Sequence, residues 1–365
     1  MKTLVFKKLS VLLFLVISHA NIVSGAVEVT KTYEKIFPLT GAASLEIENR
    51  YGSIDIKNWD NDEISVHVLV TVSNSSRESA ERQLALINVN LGQRENAIRA
   101  ITEIDQRGGR SGSRWFSSGN DGQSISIDYT VYAPRETDLK ITHRYGDVFI
   151  NEATGHTFID LRYGNLQANR ISRNNTRPLS EINLAYSTKV NITEADWLKV
   201  NMRYSDISVE RCRALVVAAS YSKLRVERAS SVVAESRYGE FFLGDITNFV
   251  TESAYTNYSI RSIGNTLDVE SRYGNIRVEN MPASFSKIRF INSYGNMRIG
   301  LDPEASYHIE STAGYGSVNI PSGGRVNRIS SGRQATLSGV VGPRSEPSAT
   351  VEISTRYGNV DLTAR

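Results

Sequence analysis

This sequence has few of the residues that cross-link small exported domains or bind metals. It contains 1 cysteine, Cys212, so no disulfide can form within the chain and stability must come from an apolar core. Its 5 histidines are scattered without the spacing of metal ligands, which argues against a zinc site. Glycine-rich phosphate loops and serine-nucleophile motifs are also missing from the contexts that they require. We therefore expect no catalytic residues and no cofactor.

The sequence also lacks an apolar run long enough to cross a membrane. Lys2, Lys7 and Lys8 precede an apolar run over residues 9–17, and small residues follow up to Ala26. A transmembrane helix needs roughly 20 apolar residues, whereas this arrangement is typical of a secretory signal peptide. We predict a signal peptide over residues 1–26, a mature chain without a transmembrane span, and export to the periplasm, the cell surface or the extracellular space.

Net charge is low as well. The formal net charge of the chain is +3 at pH 7, and the predicted signal peptide contributes three lysines and no acidic residue. The remaining chain is therefore about neutral. Because nucleic-acid binding depends on a clustered basic face, we expect no nucleic-acid partner.

In contrast, one pattern centred on tyrosine recurs along most of the chain. In most copies apolar residues stand six and four positions before the tyrosine and three and five positions after it, and glycine or a small hydroxyl residue follows the tyrosine. The twelve copies are centred on Tyr51, Tyr145, Tyr163, Tyr186, Tyr204, Tyr221, Tyr238, Tyr255, Tyr273, Tyr294, Tyr315 and Tyr357. Between Tyr145 and Tyr315 successive tyrosines lie 17 to 23 residues apart, a period typical of solenoids.

Each copy is predicted to form two short strands that flank a corner at the tyrosine. The residues on either side alternate with the period of two of a half-buried strand. Glycine follows the tyrosine in eight copies, which suits a bend with positive φ, so Thr256 at this position is expected to be strained. By parity the tyrosines fall on the inner side. From Tyr145 onward we therefore expect their rings to form a structural ladder that fills one corner of the core.

The predicted fold is an all-β parallel β-helix or β-solenoid, right-handed by the usual rule for parallel crossovers, with a small N-terminal strand and helix cap. Alternation from Ile64 to Val72 indicates a strand, and Ser75 with Glu78 forms a capping box for one amphipathic helix. The predicted divisions are the first turn plus cap at 27–134, with the helix at 75–87 and a mobile loop at 107–123, and the repeat solenoid at 135–365, with a loop or degenerate turn at 321–349.

Two groups of residues are candidates for contact with a ligand or partner. Arg114, Trp115 and Phe116 lie in the glycine-rich loop, where aromatic and arginine side chains suit sugar or protein, although the aromatics could instead fold back on the cap. Arg277 and Arg298 occupy equivalent positions in neighbouring copies and could bind an anion, although a solvated face is the favoured explanation.

Two further columns of polar residues are expected to be structural. Arginine alternates with alanine or serine at the position before the tyrosine, from Arg162 to Ser293. Glu235, Glu252 and Glu270 stand two residues before this position on the same outward face, close to Arg237 and Arg272. We expect diagonal ion pairs that neutralise this face. At the second position after the tyrosine, asparagine is expected to bond along the stack as a ladder. Those residues are Asn165, Asn257, Asn275, Asn296 and Asn359.

Several segments together resemble a known family. A Leu-Glu-Ile-Glu-Asn-Arg-Tyr-Gly-Ser-Ile-Asp-Ile turn starts at Leu45, a strand ends near Val72, a helix begins around Ser75, and an Asp-Tyr-Thr-Val-Tyr-Ala-Pro strand starts at Asp128 before the repeated turns. This order is similar to that of the bacterial putative-adhesin (auto-transporter-adhesin-like) β-solenoid domains of unknown function. The resemblance implies the β-solenoid fold and offers no catalytic residues to transfer.

On these grounds the sequence favours an exported, non-enzymatic adhesion or scaffold module at the cell envelope, whose partner is a protein or a glycan. Two alternatives stay open at this point. One is a periplasmic envelope sensor or assembly factor that binds a protein partner. The other is a glycan-active β-helix enzyme, because parallel β-helices commonly act on acidic glycans.

Overall fold

The computed structural model describes residues 26–105, 123–173 and 177–365. The chain is almost all β, with 72% strand and 2% helix, as the sequence predicts. Up to Ala133 the elements are β1 (Val27–Pro38), β2 (Ser44–Arg50), β3 (Ile54–Asn58), β4 (Glu63–Asn74), α1 (Arg77–Leu84), β5 (Ile87–Arg94), β6 (Ala97–Ile104) and β7 (Ser124–Ala133).

Short strands then follow one another to the C-terminus. They are β8 (Asp138–Arg144), β9 (Val148–Ala153), β10 (Thr157–Arg162), β11 (Leu166–Ile171), β12 (Ser180–Ala185), β13 (Val190–Arg203), β14 (Asp206–Ser220), β15 (Lys223–Tyr273), β16 (Ile276–Met281), β17 (Lys287–Tyr294), β18 (Met297–Leu301), β19 (Tyr307–Ala313), β20 (Val318–Asn319), β21 (Arg325–Ser331), β22 (Gln334–Val341), β23 (Ala349–Tyr357) and β24 (Val360–Ala364).

The chain forms two compact units. The first contains the residues up to Thr137 together with Tyr145–Phe149, and the second contains Asp138–Arg144 together with Ile150–Arg365.

In the first unit, β4 is the central strand. It pairs antiparallel with both β1 and β7, and Ile64, Val66 and Val68 are fully buried in the alternation that the sequence shows. β2 and β3 flank Tyr51 and pair in parallel with β6 and β7. The helix α1 is capped by Ser76, whose side chain accepts a hydrogen bond from the backbone N–H of Ser79, so the cap lies one residue later than predicted.

The second unit is a parallel β-solenoid. Here we use "pre-tyrosine strand" for the six or seven residues before each tyrosine and "post-tyrosine strand" for those after its corner. The two kinds of strand form two parallel stacks, in which each residue lies beside its equivalent in the next coil, as Val200 lies beside Val217. Both stacks turn their apolar residues inward. Leu215 and Val217 of a pre-tyrosine strand, and Ile207 and Val209 of a post-tyrosine strand, are at most 3% exposed.

The C-terminal coil lies in the interior of this stack rather than at its end. β23 pairs in parallel with both β17 and β19, and β24 pairs in parallel with both β18 and β20. Tyr357 therefore sits between Tyr294 and Tyr315, although it follows both in sequence. The segment between Tyr315 and Tyr357 in the sequence forms an antiparallel hairpin of β21 and β22 instead of a solenoid turn. β22 continues the sheet by pairing antiparallel with β19.

The single cysteine offers a test of the solenoid interior. Cys212 is 7% exposed, and its Sγ lies 3.2 Å from the carbonyl oxygen of Ala214. Burial raises the pKa of the Cys212 thiol to about 12, so the reactive thiolate is scarce in the folded protein. We expect iodoacetamide at mildly alkaline pH to leave Cys212 unmodified until denaturant unfolds the chain, as measured by intact mass. Alkylation of the native protein at the rate of a free thiol would contradict this burial.

Candidate interaction surface

The corner of most coils is made by the tyrosine itself. Eight tyrosines adopt positive φ angles of 49° to 70°, and they are Tyr51, Tyr145, Tyr163, Tyr186, Tyr204, Tyr221, Tyr238 and Tyr255. Bulky residues rarely adopt this left-handed conformation, which costs roughly 1–2 kcal/mol per residue. The expectation that Thr256 would carry the strain is wrong, because Tyr255 before it makes the bend. In later coils the bend moves to the glycine, with φ of 145° at Gly274 and 140° at Gly295.

The tyrosine rings lie on the outside of the solenoid, so the prediction that they fill the core is wrong. Side chains alternate between the inner and outer face only where the backbone is extended. A tyrosine in the left-handed conformation interrupts this alternation, so its ring points outward. Nine ladder rings of the second unit are between 36% and 53% exposed, while Tyr357 is half-buried.

These outward rings form one continuous stack in the second unit, which we call the tyrosine ladder. Neighbouring centroids are 4.5–5.1 Å apart and neighbouring planes differ by 4° to 16°. In spatial order the ladder consists of Tyr163, Tyr186, Tyr204, Tyr221, Tyr238, Tyr255, Tyr273, Tyr294, Tyr357 and Tyr315. In the first unit Tyr145 stacks on Tyr51 at 5.6 Å. Because each ring face is covered by the next ring, the ladder presents ring edges and hydroxyl groups to solvent.

Stacking offsets the backbone strain, since each aromatic pair contributes about 0.5–1.5 kcal/mol beyond its buried area. At Tyr238, which has φ 56°, we expect glycine to be tolerated better than alanine by about 1 kcal/mol, because glycine adopts positive φ without cost. Tyr273 is the matched control, since its φ is not positive, and there alanine should be the better replacement. Urea unfolding of the four variants checks the reversal. The same order at both positions would show that φ does not decide the effect.

Hydrogen bonds between coils hold the same corners in register. The backbone N–H of Asn275 donates to Oδ1 of Asn257 at 2.9 Å, that of Asn296 to Asn275 at 3.0 Å, and that of Asn359 to Asn296 at 2.9 Å, which confirms the predicted asparagine ladder for these residues. In earlier coils a serine directly after the tyrosine forms the corresponding hydrogen bond between coils. The N–H of Ser205 donates to Oγ of Ser222 at 3.1 Å.

Beside the tyrosine ladder, the residues before the tyrosines form a column of arginines alternating with small residues. Arg162 is paired with Asp160 at 3.2 Å, and the guanidinium of Arg203 lies 5.3 Å from the ring centroid of Tyr204. Among the residues that the structure describes, Arg237 and Arg272 have no acidic partner within ion-pair distance.

The prediction that diagonal ion pairs neutralise these two arginines is therefore wrong. Glu270 instead lies 3.9 Å from Arg289 in the next coil. Shared orientation on one face does not determine which neighbour a long side chain reaches.

This arginine column lies along a groove of about 1080 Å³ on the outer face of the pre-tyrosine strands. Asn183, Asn201, Glu235 and Glu252 occupy a parallel column, two positions before the arginine column. Between the arginines the floor is lined by Ala185, Ser220 and Ala254, whose small side chains leave room. The alternation of arginine with alanine or serine was visible in the sequence, but sequence reasoning did not identify it as a groove.

The other predicted contact residues are less suited to binding. Arg277 and Arg298 are neighbours in register, yet Arg298 lies 3.5 Å from Asp361 and Arg277 lies 3.9 Å from Glu279. Both guanidinium groups therefore already have acidic partners. Arg114, Trp115 and Phe116 lie outside the described residues.

The chemistry of this surface is that of hydrogen bonding and charge. The pKa of Tyr255 is raised, first by desolvation and then by the neighbouring phenols of Tyr273 and Tyr238, so its hydroxyl is neutral at physiological pH. In the part of the chain that the structure describes, no three His, Cys, Asp or Glu side chains converge as metal ligands. No helix among the described residues has the length and apolar character that crossing a bilayer requires.

Comparison with known proteins places the fold in a family. The family described as Toastrack DUF4097 matches residues 42–363. No curated protein matches the sequence.

Three solved structures are similar to this chain at low sequence identity. A "putative cell adhesion protein" from Clostridium sporogenes is 10% identical, with a TM-score of 0.21, and the match covers 92% of this chain and 100% of that one. A "putative adhesin" from Bacteroides fragilis is 11% identical, with a TM-score of 0.25 and coverage of 91% and 97%. A "putative lipid binding protein" from Parabacteroides distasonis is 8% identical, with a TM-score of 0.32 and coverage of 91% and 96%.

Proposed function

Since the chain belongs to the Toastrack DUF4097 family, we propose that it is an exported, non-enzymatic adhesion or scaffold module of the cell envelope. One observation carries this proposal, namely the long outer surface made by the tyrosine ladder and the groove beside it. Part of this ladder of ten stacked rings runs beside a groove in which Arg237 and Arg272 have no acidic partner among the described residues. A repetitive, one-sided surface of this kind suits an extended partner, either a protein or a glycan, because it offers the same contacts coil after coil.

The positions of the perturbed ionisable groups support a role without catalysis. Catalytic sites usually bring groups with shifted pKa values together in a cleft. Here the pKa values of Tyr129, Cys212 and Tyr307 are all raised, and in each case burial in the core is the largest cause. None of these three side chains lines the groove. Tyr255 does line it, but its raised pKa keeps the phenol neutral, so it supplies no charged catalytic group.

Protease shaving of intact cells that carry the gene tests the location that adhesion requires. We expect external protease to digest the protein while a periplasmic marker stays intact, because an adhesin must be reachable from outside. Protection until the outer membrane is permeabilised would overturn the adhesion role and favour the periplasmic sensor or assembly factor. Release of reducing sugar ends from glycans by the purified protein would overturn the non-enzymatic assignment.

A further inference from the structure

We propose that the groove beside the tyrosine ladder binds a linear acidic polysaccharide with one anionic group on every second sugar. This inference deepens the proposed function, on which it rests, by naming the class of partner. It starts from the spacing of the arginines. In the groove, arginine occurs in every second coil and a small residue occupies the coil between.

Two consecutive arginines and the small residue between them form what we call an arginine clasp. Arg203, Ser220 and Arg237 lie side by side in register in three successive coils. Ala254 and Arg272 continue the column, because the rings that follow them stack in the same order. Strands in a sheet lie about 4.8 Å apart, so the arginines of one clasp are roughly 9.6 Å apart at the backbone. An anionic group above the small residue therefore lies within reach of both guanidinium groups.

The arginines of the clasps differ from others on the same solenoid. Arg261 lies 2.8 Å from Asp245, and Arg289 lies 2.9 Å from Asp268, so those guanidinium groups are already neutralised. Arg237 and Arg272 have no such partner among the described residues. Guanidinium groups form strong charge-assisted hydrogen bonds with carboxylate and sulfate groups, and these two are available to do so.

The spacing of the clasps selects a sparsely charged polymer. Successive clasps repeat every two coils, whereas phosphates of one strand in duplex DNA recur about every 3.4 Å along the axis. Glu235 and Glu252 also line the groove and would repel a second row of anions. A sugar residue in an extended chain is about as long as one coil is thick. Alternation of an acidic with a neutral sugar therefore matches the alternation of arginine-bearing and small-residue coils.

The tyrosine ladder supplies the other half of the recognition. Tyr238 and Tyr255 line the groove, and their ring faces are covered by stacking at 4.8 Å. The rings therefore cannot act as flat platforms for sugars. Their hydroxyl groups stand one per coil, and neutral phenols both donate and accept hydrogen bonds with sugar hydroxyls.

Binding of defined oligosaccharides to the purified protein tests the proposal. The probe is a hyaluronan oligosaccharide, which carries one carboxylate per disaccharide, and the neutral comparison is a chitin oligosaccharide of the same length. We expect hyaluronan to bind with a salt-dependent affinity and chitin to bind at least about tenfold more weakly, since each 1.4 kcal/mol of charge-assisted bonding is a tenfold change. Polygalacturonate, with a carboxylate on every sugar, and single-stranded DNA should also bind more weakly than hyaluronan.

Matched variants distinguish binding by the arginine clasps from a general effect of positive charge. The double variant Arg237→Gln with Arg272→Gln should lose about tenfold or more in hyaluronan affinity. The control is Arg277→Gln with Arg298→Gln, which removes the same charge from the post-tyrosine strands, outside the groove, and should leave binding unchanged. Melting midpoints show whether each variant is folded.

Equal losses in both double variants, equal binding of hyaluronan and chitin, or no binding of hyaluronan would each overturn the proposal. A protein that is exposed on cells but does not bind hyaluronan would leave the proposed adhesion role standing. A protein that binds hyaluronan but is protected from external protease would retain the polysaccharide site and refute the surface role.

Discussion

Alanine at Gly274 is expected to destabilise the protein by about 3–4 kcal/mol, as overpacking against backbone adds to the cost of positive φ. Gly274 has φ 145°, and a Cβ atom there would overlap the carbonyl oxygen of Thr256 in the preceding coil. That oxygen belongs to backbone inside the stack, so it cannot move aside as a flexible side chain would. The urea midpoint of Gly274→Ala measures the loss.

Gly264→Ala provides the control for this prediction. Its φ is not positive, and the nearest atom to the added Cβ is Cα of Thr247 at 3.5 Å, which is ordinary contact. We expect this variant to be neutral or slightly more stable, because alanine restricts the unfolded chain. Similar urea midpoints for the two variants would show that the coils are not in the close contact described here.

Removal of residues 346–365 is expected to unfold the coils on both sides of the deleted one. Val351, Ile353, Val360 and Leu362 are at most 2% exposed, and full burial of such side chains contributes about 1.5–3 kcal/mol each. The deletion therefore costs on the order of 6 kcal/mol or more. It also leaves the facing edges of β17 and β19 without their hydrogen-bond partner. Limited proteolysis should cut first between Met297 and Val341.

Complementation distinguishes an interior coil from a terminal one. A synthetic peptide of residues 346–365 should bind the truncated protein and restore its protease resistance, because the two exposed edges form a slot of defined register. If the deleted coil were at the end of the stack, the truncated protein would keep its remaining coils folded. Unchanged protease resistance of residues 297–341 in the truncated protein would therefore refute the interior position.

Much of the coil architecture could be predicted from local pattern. The alternation in β4 and the recurrence of buried residues six and four positions before each tyrosine follow from a chain that is extended and has one inward side. The asparagine ladder also follows, because equivalent residues of stacked coils must lie side by side. The helix was found as well, with its cap displaced by one residue from Ser75 to Ser76.

Three features of the structure could not be predicted from local pattern. The tyrosine rings point outward because eight of these residues leave the extended region, and parity says nothing about the residue at which it breaks. Arg237 and Arg272 lack the expected ion pairs because an acidic side chain on this face can reach several basic neighbours, and Glu270 lies near Arg289 instead. The coil of Tyr357 lies between two earlier coils because strand pairing is decided by which open edges are available, and not by order in the chain.

By itself, the sequence determined the repeat, the inward-facing residues and the all-β solenoid fold, because these depend on alternation within a few residues. Only the tertiary structure decided the order of the last coils, the outward stack of tyrosines and the groove in which Arg237 and Arg272 have no acidic partner among the described residues. Each of these depends on contacts between coils, since one coil sets the space and the hydrogen-bond partners that the next coil can use.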